Sequence, residues 1–172
     1  MRDEDKLRKQ RLVFYSEDME KIDRYMSEFL KLSGAKCALL VDKEGHLVTK
    51  RGESGDFDLD TISALVAGSF AATREMARIL GDEQFSVLLH QGEKENIQLS
   101  LVGERTLMTV IFDESTTLGV VRLYADEITK KLGKLFEKIA SRGGGGAPGE
   151  VISEDFSAGA KTRLDDLFGP DQ

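Results

Sequence analysis

The sequence predicts an α+β domain in which helices cover both faces of a five-stranded antiparallel sheet. Three stretches repeat apolar residues at three- and four-residue spacing, which is typical of amphipathic helices, and five short runs of β-forming residues lie between them. The order is α-β-β-α-β-β-β-α. The runs within each β group are joined by connections so short that neighbouring strands must be antiparallel.

The first helix is expected from Ser16 to Ser33. Ser16 is a suitable N-cap, Glu17 and Asp18 place negative charge in the first turn, and Gly34 supplies a left-handed stop. The apolar face of this helix comprises Met19, Ile22, Met26, Phe29 and Leu30.

The second helix, expected from Asp58 to Gly81, is the element around which the chain is organised. Asp58 is a good N-cap and Gly81 is a left-handed stop. Six apolar residues recur at the spacing that a helix lying on a sheet needs: Ile62, Leu65, Val66, Met76, Ile79 and Leu80. Beside them runs a stripe of small residues, Ala64, Ala67, Gly68, Ala71 and Ala72.

The small-residue stripe would let another backbone approach this helix closely. A glycine inside a helix costs roughly 0.5–1 kcal/mol relative to alanine, so Gly68 must be offset by packing or binding. Two interpretations remain open: the stripe packs on the chain's own sheet, or it is a docking face for a partner.

The strands and the third helix follow from the same patterns. AKCALLVD and HLVTKRG, separated by KEG, predict a hairpin before the long helix; FSVLLHQG, IQLSLVG and TLMTVIFD predict three strands after it. Helical spacing returns from Thr117 to Ala140. The apolar positions there are Val121, Tyr124, Ile128, Leu132, Leu135, Phe136 and Ile139.

Composition divides the chain into four parts. Residues 1–11 are a charged arm, residues 12–140 are the folded domain, and residues 141–152 contain GGGGAPG, a composition that predicts a flexible linker. Residues 153–172 form an acidic tail with one apolar stripe. Such a segment is expected to fold on contact with an apolar groove, and a disordered solubilising tail is the alternative. The tail residues expected to dock are Phe156, Leu164, Leu167 and Phe168.

Composition also excludes several functional classes. The formal net charge of −7 argues against nucleic acid as a partner. The single cysteine, Cys37, excludes an internal disulfide and fits a reducing cytoplasm. No apolar run approaches the roughly 20 residues of a membrane span. His46 and His90 lie on different predicted strands without ligands at metal spacing, and the glycine run lacks the Gly-Lys-Ser/Thr of a phosphate loop. We therefore expect no metal, no cofactor and no catalytic site.

Four segments resemble the roadblock (dynein light chain) family, over about Leu12 to Ala140: CALLVDKEGHLV, TISALVAGSFAAT, MARILGDEQFSVLLHQGEKENIQLSLVG and VIFDESTTLGVVRLY. Their order and spacing are most similar to the bacterial MglB branch. The resemblance implies a homodimer whose sheets join edge to edge and whose paired long helices receive a GTP-bound, Ras-like GTPase of the MglA type. The implied contact residues are Ala64, Ala67, Gly68, Ala71, Ala72 and Glu75.

The resemblance also implies that the chain accelerates GTP hydrolysis by that partner, a GTPase that controls cell polarity or motility. It further implies that the chain is located in the cytoplasm or at a cell pole. An activator can insert an arginine finger, but Arg74, Arg78 and Arg105 are more simply solvated charges. The resemblance implies instead that the GTPase is reshaped so that its own arginine and glutamine move into place. The tail would dock elsewhere on the GTPase and tune affinity or exchange. A scaffold that binds the GTPase without changing its rate is the alternative.

Overall fold

The computed structural model describes residues 14–143, and the predicted fold class and element order are confirmed. None of the helices in this range is both long and apolar enough to cross a bilayer. The helices are α1 (Ser16–Ser33), α2 (Leu59–Ile79) and α3 (Leu118–Gly143). The strands are β1 (Cys37–Asp42), β2 (Leu47–Gly52), β3 (Val87–Gln91), β4 (Asn96–Val102) and β5 (Thr106–Phe112).

The five strands form one antiparallel sheet in the order β2-β1-β5-β4-β3, so β2 and β3 are its edges. The central pair, β1 and β5, defines the two ends of the sheet. Cys37 lies opposite Ile111 at what we call the upper end, and Asp42 lies opposite Thr106 at the lower end. The β1–β2 and β4–β5 turns therefore both lie at the lower end.

One face of the sheet is covered by α1 and α3, apart from its β3 edge. Alternate strand residues point to this face, as the period of two requires, and the predicted apolar stripes of the helices cover those of β1, β4 and β5. The buried core residues on this side include Ile22, Met26, Phe29, Ala38, Leu40, Met108, Val110, Val121, Leu132 and Phe136.

The two ends of α1 are tied to the two ends of α3. At the upper end the Thr116 hydroxyl, just before α3, donates to the Ser33 carbonyl at 2.6 Å. At the lower end Arg142 Nη2 donates to Asp18 Oδ1 at 2.5 Å. The helices are therefore antiparallel, and this anchor extends α3 to Gly143. Residues 141–143, which the composition assigns to the linker, belong to the helix.

The start of α1 differs by one residue from the prediction. Ser16 is the first helical residue, and Tyr15 occupies the N-cap position with extended backbone angles. The Tyr15 amide donates to Asp18 Oδ2 at 3.1 Å, so the buried Asp18 carboxylate reaches back to the cap. The predicted stop is confirmed, since Gly34 is left-handed with φ 70°.

Helix α2 lies alone on the opposite face of the sheet. Its predicted N-cap is confirmed, because Asp58 Oδ1 accepts from the Thr61 amide at 3.2 Å. Gly81 follows its end with φ 84°. Near its start the β1–β2 turn passes under the helix: a Cβ on Gly45 would lie 2.9 Å from Ala64 Cα, so only glycine allows this approach.

Candidate partner-binding faces of helix α2

Only part of the predicted apolar stripe of α2 faces the sheet. Val66 is buried and Ile62 is half-buried, and both contact apolar strand residues. Four other predicted sheet contacts are wrong: Leu65, Met76, Ile79 and Leu80 are 65%, 57%, 72% and 84% exposed.

The principal contact of α2 with the sheet is Phe70, which is not part of the apolar stripe expected from the sequence. Phe70 is 4% exposed and its ring stacks on Phe85, with the centroids 5.1 Å apart. Phe70 follows Ile62 and Val66 at intervals of four residues. That spacing was the available signal, and it was obscured because α2 carries apolar residues on two different faces.

The exposed apolar residues form a continuous seam, which we call the outer face of α2. Its members are separated by three, four, four and three residues: Leu65, Gly68, Ala72, Met76 and Ile79. This spacing places them along one side of the helix, as in a helix-pairing seam. A Cβ on Gly68 would have no atom within 4 Å, so packing within the chain does not account for this glycine.

The remaining small residues lie on a second side, which we call the lower flank. Its members are also separated by three or four residues: Ala64, Ala67, Ala71, Arg74 and Arg78. The predicted small-residue stripe is therefore divided. Gly68 and Ala72 belong to the outer face, whereas Ala64, Ala71 and Glu75 are exposed at or beside the lower flank. Ala67 is only 7% exposed, so this residue packs on the chain's own sheet.

A groove of about 530 Å³ lies between the lower flank and the two turns at the lower end of the sheet. We call it the lower groove. Its apolar wall comprises Ala67, Phe70, Ala71, Phe85, Leu101 and Leu107. Charged side chains surround this wall: Lys43, Arg74, Glu75, Arg78, Asp82, Glu83, Glu104 and Arg105.

The cations around the lower groove differ in how they are held. The Arg78 guanidinium donates to both Glu75 carboxylate oxygens at 2.5–3.1 Å, and these hydrogen bonds hold the pKa of Glu75 below its usual range. Among residues 14–143, Lys43, Arg74 and Arg105 have no carboxylate partner within 4.0 Å. The groove therefore presents three cations that are free to meet an anionic group.

Strand β3 provides the second open surface beside α2. It begins two residues after Phe85, which stacks on Phe70, so this edge of the sheet lies next to the C-terminal half of α2. Leu88 packs on the α2 side in the same cluster as Phe70, whereas Val87 and Leu89 point to the α1 and α3 side of the sheet and are 40% and 36% exposed. The other edge, β2, carries Lys50 and Arg51, which discourage strand addition.

Nothing in residues 14–143 forms a metal centre, since no group of three His, Cys, Asp or Glu residues is suitably placed. His46 Nδ1 lies 3.1 Å from Asp42 Oδ2 at the exposed β1–β2 turn. At the upper end, Glu95 and Asp113 line a cavity of about 540 Å³. The Lys36 ammonium contacts Glu95 at 2.6 Å and Asp113 at 3.5 Å. These contacts raise the pKa of Lys36 and tie the β3–β4 loop to the end of β5.

The predicted tail-docking residues, Phe156, Leu164, Leu167 and Phe168, lie outside the described residues, as does the charged arm. In the part of the chain that is described, the faces of α2 and the edge of β3 carry most of the exposed large apolar side chains.

This architecture is similar to that of known proteins. The profile of the Roadblock/LC7 domain matches residues 21–112. The gliding protein MglB from Thermus thermophilus is 33% identical, with a TM-score of 0.70 over 74% of this chain and 96% of that one. Myxococcus xanthus MglB is 35% identical, with a TM-score of 0.66 over 69% and 96%. A Roadblock/LC7 domain from Streptomyces avermitilis, at 18% identity and a TM-score of 0.61 over 67% and 97%, shares the fold.

No curated protein sequence matches the chain. The domain profile nevertheless spans more than half of the 172 residues, and the identity to both MglB structures exceeds 30% over nearly their whole length. The chain belongs to the Roadblock/LC7 family.

Proposed function

We propose that the chain is a homodimeric regulator of a Ras-like small GTPase and that it accelerates GTP hydrolysis by that partner. Similarity to MglB supports this class of function. The observation that carries the proposal is the division of α2 into two open faces, an apolar outer face and a charged lower flank. One face suits a second copy of the chain and the other suits a different protein.

The outer face and β3 form the dimer contact in this proposal. An apolar seam with Gly68 and Ala72 at its centre lets two copies of α2 approach closely, because neither residue has a side chain long enough to separate them. Two β3 edges then pair and satisfy each other's free backbone groups. A two-fold axis would place both contacts in one self-complementary interface.

The GTPase binds across the lower flank. Ala64, Ala71 and Glu75 are the exposed contacts at or beside this flank, whereas Gly68 and Ala72 are assigned to the dimer contact. The small residues allow a partner backbone to lie directly on the helix. Ala67 supports this surface from below and does not touch the partner.

Activation proceeds without an arginine inserted from this chain. Arg78 is already engaged by both oxygens of Glu75, and Arg105 is half-buried beside the β4–β5 turn. The regulator instead holds the GTPase in the conformation in which the partner's own groups stabilise charge on the transferring phosphoryl group. Replacing Arg74 or Arg105 by alanine is therefore expected to leave the maximal hydrolysis rate unchanged.

The test is GTP hydrolysis by the cognate small GTPase, with and without the full chain. We expect acceleration by the wild type and its loss in Ala71→Arg, which places a long charged side chain on the lower flank. Ala140→Arg, at an exposed position of α3, is the matched control and should behave as the wild type. Both variants should keep the helical circular dichroism of the wild type, since arginine is a good helix former.

Each other outcome has a defined meaning. Binding of the GTPase without acceleration would replace the activator by a scaffold of the same fold. Loss of helical signal in Ala71→Arg alone would show that Ala71 packs within the chain. Loss of acceleration in Arg74→Ala with unchanged affinity would identify an arginine finger.

A further inference from the structure

The end of α3 lies at the same end of the sheet as the lower groove. Arg142 is bonded to Asp18 in the first turn of α1, and the last turn of α1 adjoins the start of α3 at the upper end. Helix α3 has 26 residues, or about 39 Å at 1.5 Å per residue, whereas a seven-residue strand spans only about 23 Å. The chain therefore leaves the domain beyond the lower end of the sheet.

The chain that continues from Gly143 is long enough to pass this end and reach the other face. Residues 144–152 number nine and are rich in glycine. Such a segment has a root-mean-square span of roughly 15–18 Å and extends to at most about 30 Å. The segment that follows, residues 153–168, thus starts within reach of the lower groove.

The chemistry of that segment matches the groove. Residues 153–168 carry four acidic and two basic side chains, and the groove presents Lys43, Arg74 and Arg105 without carboxylate partners in the described range. Glu83 and Glu104 are exposed beside the groove and can meet the two basic side chains. The apolar wall around Phe70 and Leu101 suits the apolar stripe of the segment.

We propose that in the free protein the C-terminal segment of the same chain, residues 153–168, occupies the lower groove. Its apolar residues lie on the groove wall and its carboxylates meet the three free cations. The site proposed for the GTPase is then covered until the partner arrives. That last consequence rests on the proposed function, whereas occupation of the groove in the free protein does not.

Paramagnetic relaxation measured on the full chain tests the proposal. A nitroxide is attached to Ser157→Cys in a Cys37→Ala background, where the buried native thiol can no longer react. We expect loss of amide peak intensity around the groove, at Ala71, Arg74 and Arg105. Amides at the upper end, from 112 to 116, should keep their intensity. Uniform intensities, or losses centred elsewhere, would overturn the proposal.

Charge exchange provides the control. The double variant Arg74→Glu, Arg105→Glu should abolish the intensity losses. Its other amide peaks should keep the positions that they have in the folded wild type. Adding Asp165→Lys and Asp166→Lys to that variant should restore the losses. If the losses are the same in all three proteins, the proposed charge pairing is refuted. With Leu65→Asp added to both chains to prevent the proposed dimer contact, an isotope-labelled chain mixed with a separate, unlabelled spin-labelled chain should show no losses, because the segment is assigned to its own groove. Adding the GTP-loaded GTPase tests separately whether the partner displaces residues 153–168 from the lower groove. Absence of displacement would count against the proposed function and not against occupation of the groove in the free protein.

Discussion

Replacing Leu65 by aspartate is expected to dissociate the proposed dimer, and the size of the effect follows from the exposure of Leu65 in the single chain. Leu65 is 65% exposed in the single chain, and full burial of a leucine contributes about 1.5–3 kcal/mol, so its burial in the interface contributes about 1–2 kcal/mol. A two-fold interface contains the residue twice. The loss is then about 2–4 kcal/mol, or roughly 30- to 700-fold in the dissociation constant. Burying the new carboxylate adds to this loss.

Leu123→Asp is a closely matched control. Leu123 is 61% exposed on α3, on the opposite side of the sheet from α2. Both substitutions exchange an exposed helical leucine for the same residue, so any cost in helix propensity is shared. The dissociation constant of the Leu123→Asp dimer should equal that of the wild type.

Sedimentation velocity over a range of concentrations measures both constants, with 19.0 kDa as the mass of one chain. Circular dichroism confirms that each variant remains helical. The assignment of the outer face would be refuted if Leu65→Asp dimerised as tightly as the wild type, or if Leu123→Asp dissociated to the same extent.

Three further predictions concern single residues of α2. Gly68→Ala should stabilise the dissociated chain by about 0.5–1 kcal/mol, since its Cβ meets no atom, while it weakens the dimer; thermal unfolding in the Leu65→Asp background and sedimentation measure the two effects. Phe70→Ala should lower the free energy of unfolding by about 3–5 kcal/mol in urea titration, because the ring is buried, and a loss below about 1 kcal/mol would contradict its role as the main sheet contact. Hydrogen bonds from the Thr61 hydroxyl and amide lower the pKa of Asp58 from 3.8. Its stabilisation is therefore present above that value and lost as pH falls through the lower folded pKa, so the stability difference between the wild type and Asp58→Ala should narrow below about pH 4; a constant difference would contradict this.

Features set by local chemistry were predictable from the sequence. Asp58 caps α2 through the amide three residues ahead of it, and Gly34 and Gly81 adopt the left-handed angles that end helices. Such signals act over a few residues and need no knowledge of the remaining fold. The end of α3 was misplaced because its anchor, Arg142, bonds to Asp18, which is 124 positions away in sequence.

The orientation of α2 was the part that the sequence could not provide. A helix with apolar residues on two sides obeys the same periodicity whether the second side meets its own sheet or another protein. Phe70 and Met76 are equally apolar in the sequence, yet the first is buried and the second is 57% exposed. Only the position of the strands beneath the helix distinguishes the two faces.

The two helical layers of this domain differ in how completely they are buried, and this difference has a kinetic consequence. Helices α1 and α3 brace each other, whereas α2 rests on the sheet through a few residues around Val66 and Phe70. Its amides should therefore exchange with solvent through local openings of lower free energy than those of α3. If a second copy covers α2, that protection rises with protein concentration. At low protein concentration a larger fraction of the chains would have a locally unfolded α2. The concentration of chains with an intact α2 surface would therefore fall more steeply than the total protein concentration.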